Sequence, residues 1–311
     1  MTTTRAPFPL RTLLRPKNWP LLLLTGAGRA VALLPMRAMP ALSRPLAWGL
    51  WRWRKFRHVT RANLRACLPG LPAERREAIA RASTREVAAS LLVSLKTWFG
   101  YRPGHPDFEA RFVGLEHFEA ARDTGRGIIL LNFHSGSTEL NGVFTAQLPR
   151  GPRRFTGLYR APSDDAADAV LRWARTGFCD RILPATDIRA IARGLKDGDV
   201  TWFATDLEFS GRGSVWADFF GVPAATSNSL ARIAKMSNAL VLPARLARDP
   251  KTGRHRLEVF PPLRDFPTGD AVSDATAMNA AIAALVTEAP EPYWWCLERF
   301  RRRPPGASEI Y

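Results

Sequence analysis

A chain of 311 residues, 46% hydrophobic and 23% charged, has the composition of a globular protein and the length for one large core or one core with a helical appendage. Its formal charge of +17 is uneven: residues 1–73 hold thirteen Lys and Arg and no acid, the first carboxylate being Glu74. The three cysteines, Cys67, Cys179 and Cys296, are odd in number, far apart and outside any metal-ligand spacing, which excludes a disulfide scaffold and fits reduced thiols. No cofactor and no metal are expected.

The basic first third suits either an anionic membrane surface or nucleic acid, and the residues between the charges favour membrane. Trp19-Pro-Leu-Leu-Leu-Leu-Thr-Gly-Ala-Gly-Arg29 and on to Pro35 is apolar, but Arg29 interrupts it. A spanning helix needs about 20 apolar residues in a row. Trp48, Trp51 and Trp53 then alternate with Arg52, Arg54 and Lys55, a headgroup-interface composition. Residues 10–57 therefore read as a membrane-docking or shallowly inserted segment held by charge on the cytoplasmic side. The competing reading is a cleaved signal peptide, since Arg11, Arg15 and Lys17 precede the apolar run; the absence of a disulfide pattern opposes it. No nucleic-acid reader motif is present, so nucleic acid is not an expected partner.

Residues 60–99 read as two helices. Leu64, Cys67 and Leu68 precede a Pro69-Gly-Leu-Pro72 turn, and a second helix from Glu74 runs through Ile79, Val87, Leu91 and Leu95. The chain breaks at Tyr101-Arg-Pro-Gly-His-Pro106, which divides a helical N-terminal region (1–99) from an α/β body (100–311).

In the body, Phe108 to Val113 reads as an edge strand and Leu115 to Ala121 as a short helix. Ile128 to Phe133, apolar except for Asn132, reads as a strand buried on both faces of a parallel sheet. Strands follow at Arg154–Tyr159, Val200–Ala204, Leu240–Leu246 and Leu257–Phe260. Helices lie at Asp164–Arg175, Ile188–Leu195, from a Thr226 or Ser227 cap to Lys235, and at Met278–Thr287. This alternation predicts an α/β fold with a mostly parallel central sheet flanked by helices.

Three strands end in His134, Tyr159-Arg160 and Asp206, and ligands of open parallel sheets bind at the carboxyl ends of strands. His134-Ser-Gly-Ser-Thr-Glu139 adds a carboxylate five residues after the histidine. On a regular helix the two would lie about 140° apart, so pairing requires the turn that Gly136 permits. A carboxylate-held imidazole is a general base. Without other support, His134 also reads as an ordinary loop histidine, Glu139 as an early-helix acid, Arg160 as a surface arginine, Asp206 as a turn residue and Arg299 to Arg303 as a solvated face.

The chain resembles the bacterial lipid A biosynthesis acyltransferases, and the resemblance rests on four blocks in register. These are His134-Ser-Gly-Ser-Thr-Glu139, Tyr159-Arg160-Ala-Pro162, Asp206-Leu-Glu208 with Ser214-Val-Trp-Ala-Asp-Phe-Phe-Gly221, and Ala289-Pro-Glu-Pro-Tyr-Trp-Trp295 with Arg299-Phe300 and Arg303-Pro304. It implies acyl transfer from acyl carrier protein to a hydroxyl of a lipid A precursor at the inner face of the bacterial inner membrane. It also implies a catalytic His134–Glu139 pair, with Arg160, Asp206 and Glu208 contacting substrate. The resemblance leaves open another acceptor, such as a phosphoinositol mannoside, an ornithine lipid or a lysophospholipid. The bland rival is a non-catalytic basic membrane binder.

Two departures bear on the acceptor. Leu297-Glu298 stands where the family tends to have His-Arg, and Glu208 where an Asp is more usual. The first implies either fewer anionic groups on the acceptor or pairing of Glu298 with a neighbour such as Arg299 or Arg302. No Gly-x-Ser-x-Gly elbow occurs, so direct transfer without an acyl-serine is expected.

Overall fold

The computed structural model describes residues 6–249 and 252–311. The N-terminal region is helical: α1 (Leu10–Leu13), α2 (Trp19–Ala32), α3 (Met39–Leu42), α4 (Arg44–Arg52), α5 (Arg54–Cys67) and α6 (Ala73–Gly100). No described helix is long and apolar enough to cross a membrane. The apolar stretches 16–32 and 36–52 meet at 109° and pass that test only as a bent pair.

The body then alternates as expected. It runs β1 (Phe112–Val113), α7 (Leu115–Asp123), β2 (Ile128–Asn132), α8 (Thr138–Ala146), β3 (Phe155–Tyr159), α9 (Asp165–Arg175), β4 (Arg181–Pro184) and α10 (Ile188–Lys196). It continues through β5 (Val200–Ala204), β6 (Ser214–Phe219), β7 (Val222–Ser227), α11 (Ser229–Ser237), β8 (Leu240–Arg248), β9 (His255–Val259) and α12 (Ala271–Glu288).

Seven strands form one sheet in the order β1-β9-β8-β2-β5-β3-β4, parallel except for the β8–β9 pair. All five residues of β2 are buried, as a central strand covered by helices on both sides requires. Its faces divide the core in two: Ile129 and Leu131 pack with α6, α11 and α12, while Ile128 and Leu130 pack with α7 and α8. The N-terminal helices enter both cores, through Leu64 and Ile79 in one and Met36, Met39 and Val93 in the other.

Helix starts follow side-chain chemistry. Asp164, Asp187 and Asp270 each accept a hydrogen bond from the backbone three residues on, a cap contributing about 1 kcal/mol. One expectation, the Thr226 or Ser227 helix cap, needs correction, and two elements, β4 and the β6–β7 hairpin, have no counterpart in the sequence reading. The strand β4 is half-exposed at the sheet edge and only four residues long, ending in Pro184, so it carries little apolar pattern. β6 and β7 form a hairpin in which Thr226 and Ser227 are strand residues, and α11 starts at Ser229. That hairpin turns on Phe220 and Gly221, both at positive φ, and a phenylalanine there conceals the usual turn signal. Phe220 is held there by aromatic contacts with Phe219 and Trp295, at 4.9 and 5.9 Å.

Candidate active site

β2 and β5 are parallel neighbours with Asn132 opposite Ala204. Two residues beyond each register partner lie His134 and Asp206, so the topology itself sets them side by side. The His134 backbone N–H donates to Asp206 Oδ2 at 2.9 Å, and its Nδ1 meets Oδ1 at 2.8 Å. Asp206 is fully buried, so one carboxylate fixes both the backbone and the ring of the histidine. Burial pushes the imidazole pKa down, but the charge and hydrogen bond of Asp206 outweigh it, and the result lies above the ordinary value. Asp206, although burial would raise it, is held below the usual carboxylate range by His134 and by Arg299.

The expected His134–Glu139 pair is not formed. Glu139 lies in the first turn of α8, which Ser137 caps by accepting from the Leu140 N–H. From there its carboxylate takes two bonds from Arg175, at 2.6 and 3.2 Å. Arg175 ends α9, where a cation complements the helix dipole, and also donates to the Leu158 carbonyl. Five-residue spacing through a tight turn brings Glu139 to Arg175, a residue of the His134 cavity wall, but not to the imidazole. The partner of His134 comes instead from the adjacent strand, 72 residues away.

A cavity of about 220 Å³ opens at these strand ends, lined among others by His134, Thr138, Tyr159, Arg160, Arg175 and Trp202. With Nδ1 engaged by Asp206, Nε2 is the imidazole nitrogen left for this space. Arg160 is exposed at the cavity and has no ion-pair partner among the described residues. A smaller void adjoins it through Thr138, Leu158, Arg175 and Trp202, and reaches Glu139, Phe155, Phe178 and Cys179. Of the two other residues expected to contact substrate, Asp206 is fully buried and Glu208 half-buried, and neither lines this cavity. Ser135 and Ser137 are buried, the latter bonded to Ser94.

The C-terminal segment closes the site from the other side. Its Pro292 carbonyl accepts from the Gly136 N–H, the Trp294 N–H donates to the His134 carbonyl, and Trp294 Nε1 donates to the Gly136 carbonyl. Gly136 has φ +53°, the left-handed conformation that the predicted turn needs. Tyr293 is buried near Asp206; burial first, then that charge, pushes its phenol well above the ordinary range.

Arg299, read from sequence as part of a solvated run, is 2% exposed. It donates to the carbonyls of Leu207 and Ala225, to Thr226 Oγ1 and to Asn279 Oδ1. It therefore clamps the Asp206–Leu207 loop to the β6–β7 hairpin and α12. Arg301 alongside is exposed, as the run suggested. Glu298 pairs with Lys55 at 2.6 Å and more loosely with Arg301 at 3.8 Å, rather than with Arg299 or Arg302.

Residues 9–302 match the model of the bacterial lipid A biosynthesis acyltransferases. The chain is 29% identical to a lipid A biosynthesis lauroyltransferase of Escherichia coli (strain K12) over 306 residues, covering 96% of this chain and 97% of that one. It is also 29% identical to a palmitoleoyltransferase of the same pathway and strain over 258 residues, covering 81% of each. A lipid A biosynthesis acyltransferase of Haemophilus influenzae is 27% identical, with 96% of this chain and 92% of that one covered. The strand-end histidine, its buried carboxylate and the cationic cavity thus occur in a chain that belongs to the bacterial lipid A biosynthesis acyltransferase family, and it is an acyltransferase.

Proposed function

We propose that the protein transfers a fatty acyl chain from an acyl carrier protein thioester to a hydroxyl of a lipid A precursor, with His134 as general base. The observation that carries this reading is the Asp206-held imidazole at the cavity. His134 Nε2 removes the acceptor hydroxyl proton while that oxygen attacks the thioester carbonyl. The tetrahedral oxyanion collapses, the C–S bond breaks, and the imidazolium returns the proton to the leaving thiolate. Asp206 orients the ring and stabilises the imidazolium. Glu139 acts through Arg175, keeping that cation at the cavity wall, while Arg160 is free to meet an anionic group of the acceptor or the oxyanion.

Membrane attachment at the cytoplasmic face of the inner membrane belongs to the same reading. Leu14, Trp19, Leu23, Leu24, Leu33 and Trp48 are exposed along α1–α4 and their connections, among arginines and lysine. Exposed apolar groups interleaved with cations suit an anionic lipid interface.

The test is acyl transfer by purified protein from acyl carrier protein thioester to a lipid A precursor, followed by mass spectrometry. His134→Ala should abolish product. Full activity in that variant would refute the mechanism, and transfer only to a different lipid, such as a lysophospholipid, would reassign the acceptor.

A further inference from the structure

We propose that the basic face of α5 is the docking surface for the acidic carrier protein; the inference rests on the donor assigned above. Arg54, Arg57, His58, Arg61 and Arg65 recur at helical spacing and form one stripe about 16 Å long. With Lys55 they line a concave surface of about 470 Å³ that contains no acidic residue. Arg61 pairs with Glu77, Lys55 with Glu298, and Arg57 donates to the Trp51 carbonyl. Arg54, His58 and Arg65 have no side-chain partner among the described residues. Like charges three and four residues apart oppose helix formation, so this stripe is better satisfied by an external anion.

Both a membrane and an acidic protein could supply anions, and the apolar residues decide between them. Exposed large apolar side chains are frequent from Leu10 to Trp53, whereas α5 exposes none; Phe56, Val59 and Leu64 are all buried. A helix lying on a bilayer inserts apolar groups beside its cations, whereas a carboxylate-bearing protein surface requires charge alone. The stripe is also extended, matching a row of carboxylates on a protein. Its position suits delivery. The Asn63 amide, on the inner side of α5, donates to the carbonyls of Trp295 and Leu297, and the neighbouring Trp294 ring lies 5.9 Å from the His134 ring. A carrier seated on α5 is one segment away from the base.

The test is the triple substitution Arg54→Glu, His58→Glu and Arg65→Glu, which makes the unpaired positions of the stripe acidic and leaves the paired cations in place. Its kcat/KM is compared with wild type for one acyl group carried either by acyl carrier protein or by pantetheine alone. A fall of about 10- to 100-fold confined to the carrier-protein donor, expressed in KM and weakening with salt, is expected. Sedimentation with vesicles of phosphatidylethanolamine and phosphatidylglycerol should be unchanged. Retained kcat/KM on the carrier protein, or equal loss on both donors, overturns the docking face. Loss of vesicle binding with both donors equally affected assigns the stripe to the membrane. A wild type that uses the two donors equally well refutes the carrier-protein donor itself, which is a distinct outcome.

Discussion

His134 and Asp206 meet at 2.8 Å because β2 and β5 are parallel neighbours whose register runs through Asn132 and Ala204. The pair is a product of sheet topology rather than of a local motif. It places a buried carboxylate on Nδ1 and leaves Nε2 for the cavity, the arrangement required of a directed general base.

Glu139 is predicted to act on stability as well as rate. Glu139→Ala leaves Arg175 largely buried without its partner, a loss of about 3 kcal/mol, the low end for a broken buried pair because Arg175 keeps a fifth of its surface. Thermal unfolding should show a reduced Tm for Glu139→Ala and a smaller further loss when Arg175→Met is added. Strict additivity of the two substitutions would contradict the pairing.

Arg299 is predicted to be intolerant of Lys. A lysine keeps the charge but cannot place donors on Leu207, Ala225, Thr226 and Asn279 together. Arg299→Lys should lower Tm and reduce kcat at least 10-fold by loosening the loop that carries Asp206. Wild-type rates and Tm in this variant would show that the clamp is dispensable.

Membrane binding is best tested without truncation, since Met36 and Met39 are core residues and Trp51 packs between Arg61 and Arg81. Replacing Leu23, Leu33 and Trp48, which are 75%, 87% and 68% exposed, by Ser should reduce vesicle binding by roughly tenfold or more while leaving Tm within a few degrees. Undiminished vesicle binding would move the contact surface elsewhere.

Leu297 and Glu298 are predicted not to select the acceptor. Glu298 is neutralised by Lys55, and neither residue lines the His134 cavity. Leu297→His with Glu298→Arg should therefore leave the preference between acceptors differing only in phosphate number unchanged. A shift toward the more phosphorylated acceptor would place this segment at the acceptor site after all.

The sequence revealed most where one residue type had one environment to occupy. The apolar run of β2 reads as a doubly covered strand, and the polar residues ending β2, β3 and β5 are legible as a convergent site because the three strands are neighbours. The partner of His134 was not legible. Nearness along the chain and the family resemblance point to Glu139, whereas pairing depends on strand order and register, which have no local signature. Arg299 was concealed in a run of arginines whose other members include exposed ones, and only the packed fold singles it out as buried. The β6–β7 hairpin escaped because its turn uses Phe220 in place of a residue suited to positive φ.

The most direct measurement is the pH dependence of kcat/KM for wild type, Asp206→Asn and Glu139→Gln. A general base must be neutral, so activity falls as pH drops through its pKa. Because Asp206 raises that pKa, the wild-type acid limb should lie above the ordinary imidazole value of about 6.5. Asp206→Asn removes the charge that favours the imidazolium while burial still opposes it, so the limb should move to lower pH, with the plateau falling by about 10²- to 10⁴-fold. Glu139→Gln should lower the plateau with the limb in place. A limb that moves in Glu139→Gln and stays fixed in Asp206→Asn would contradict the account.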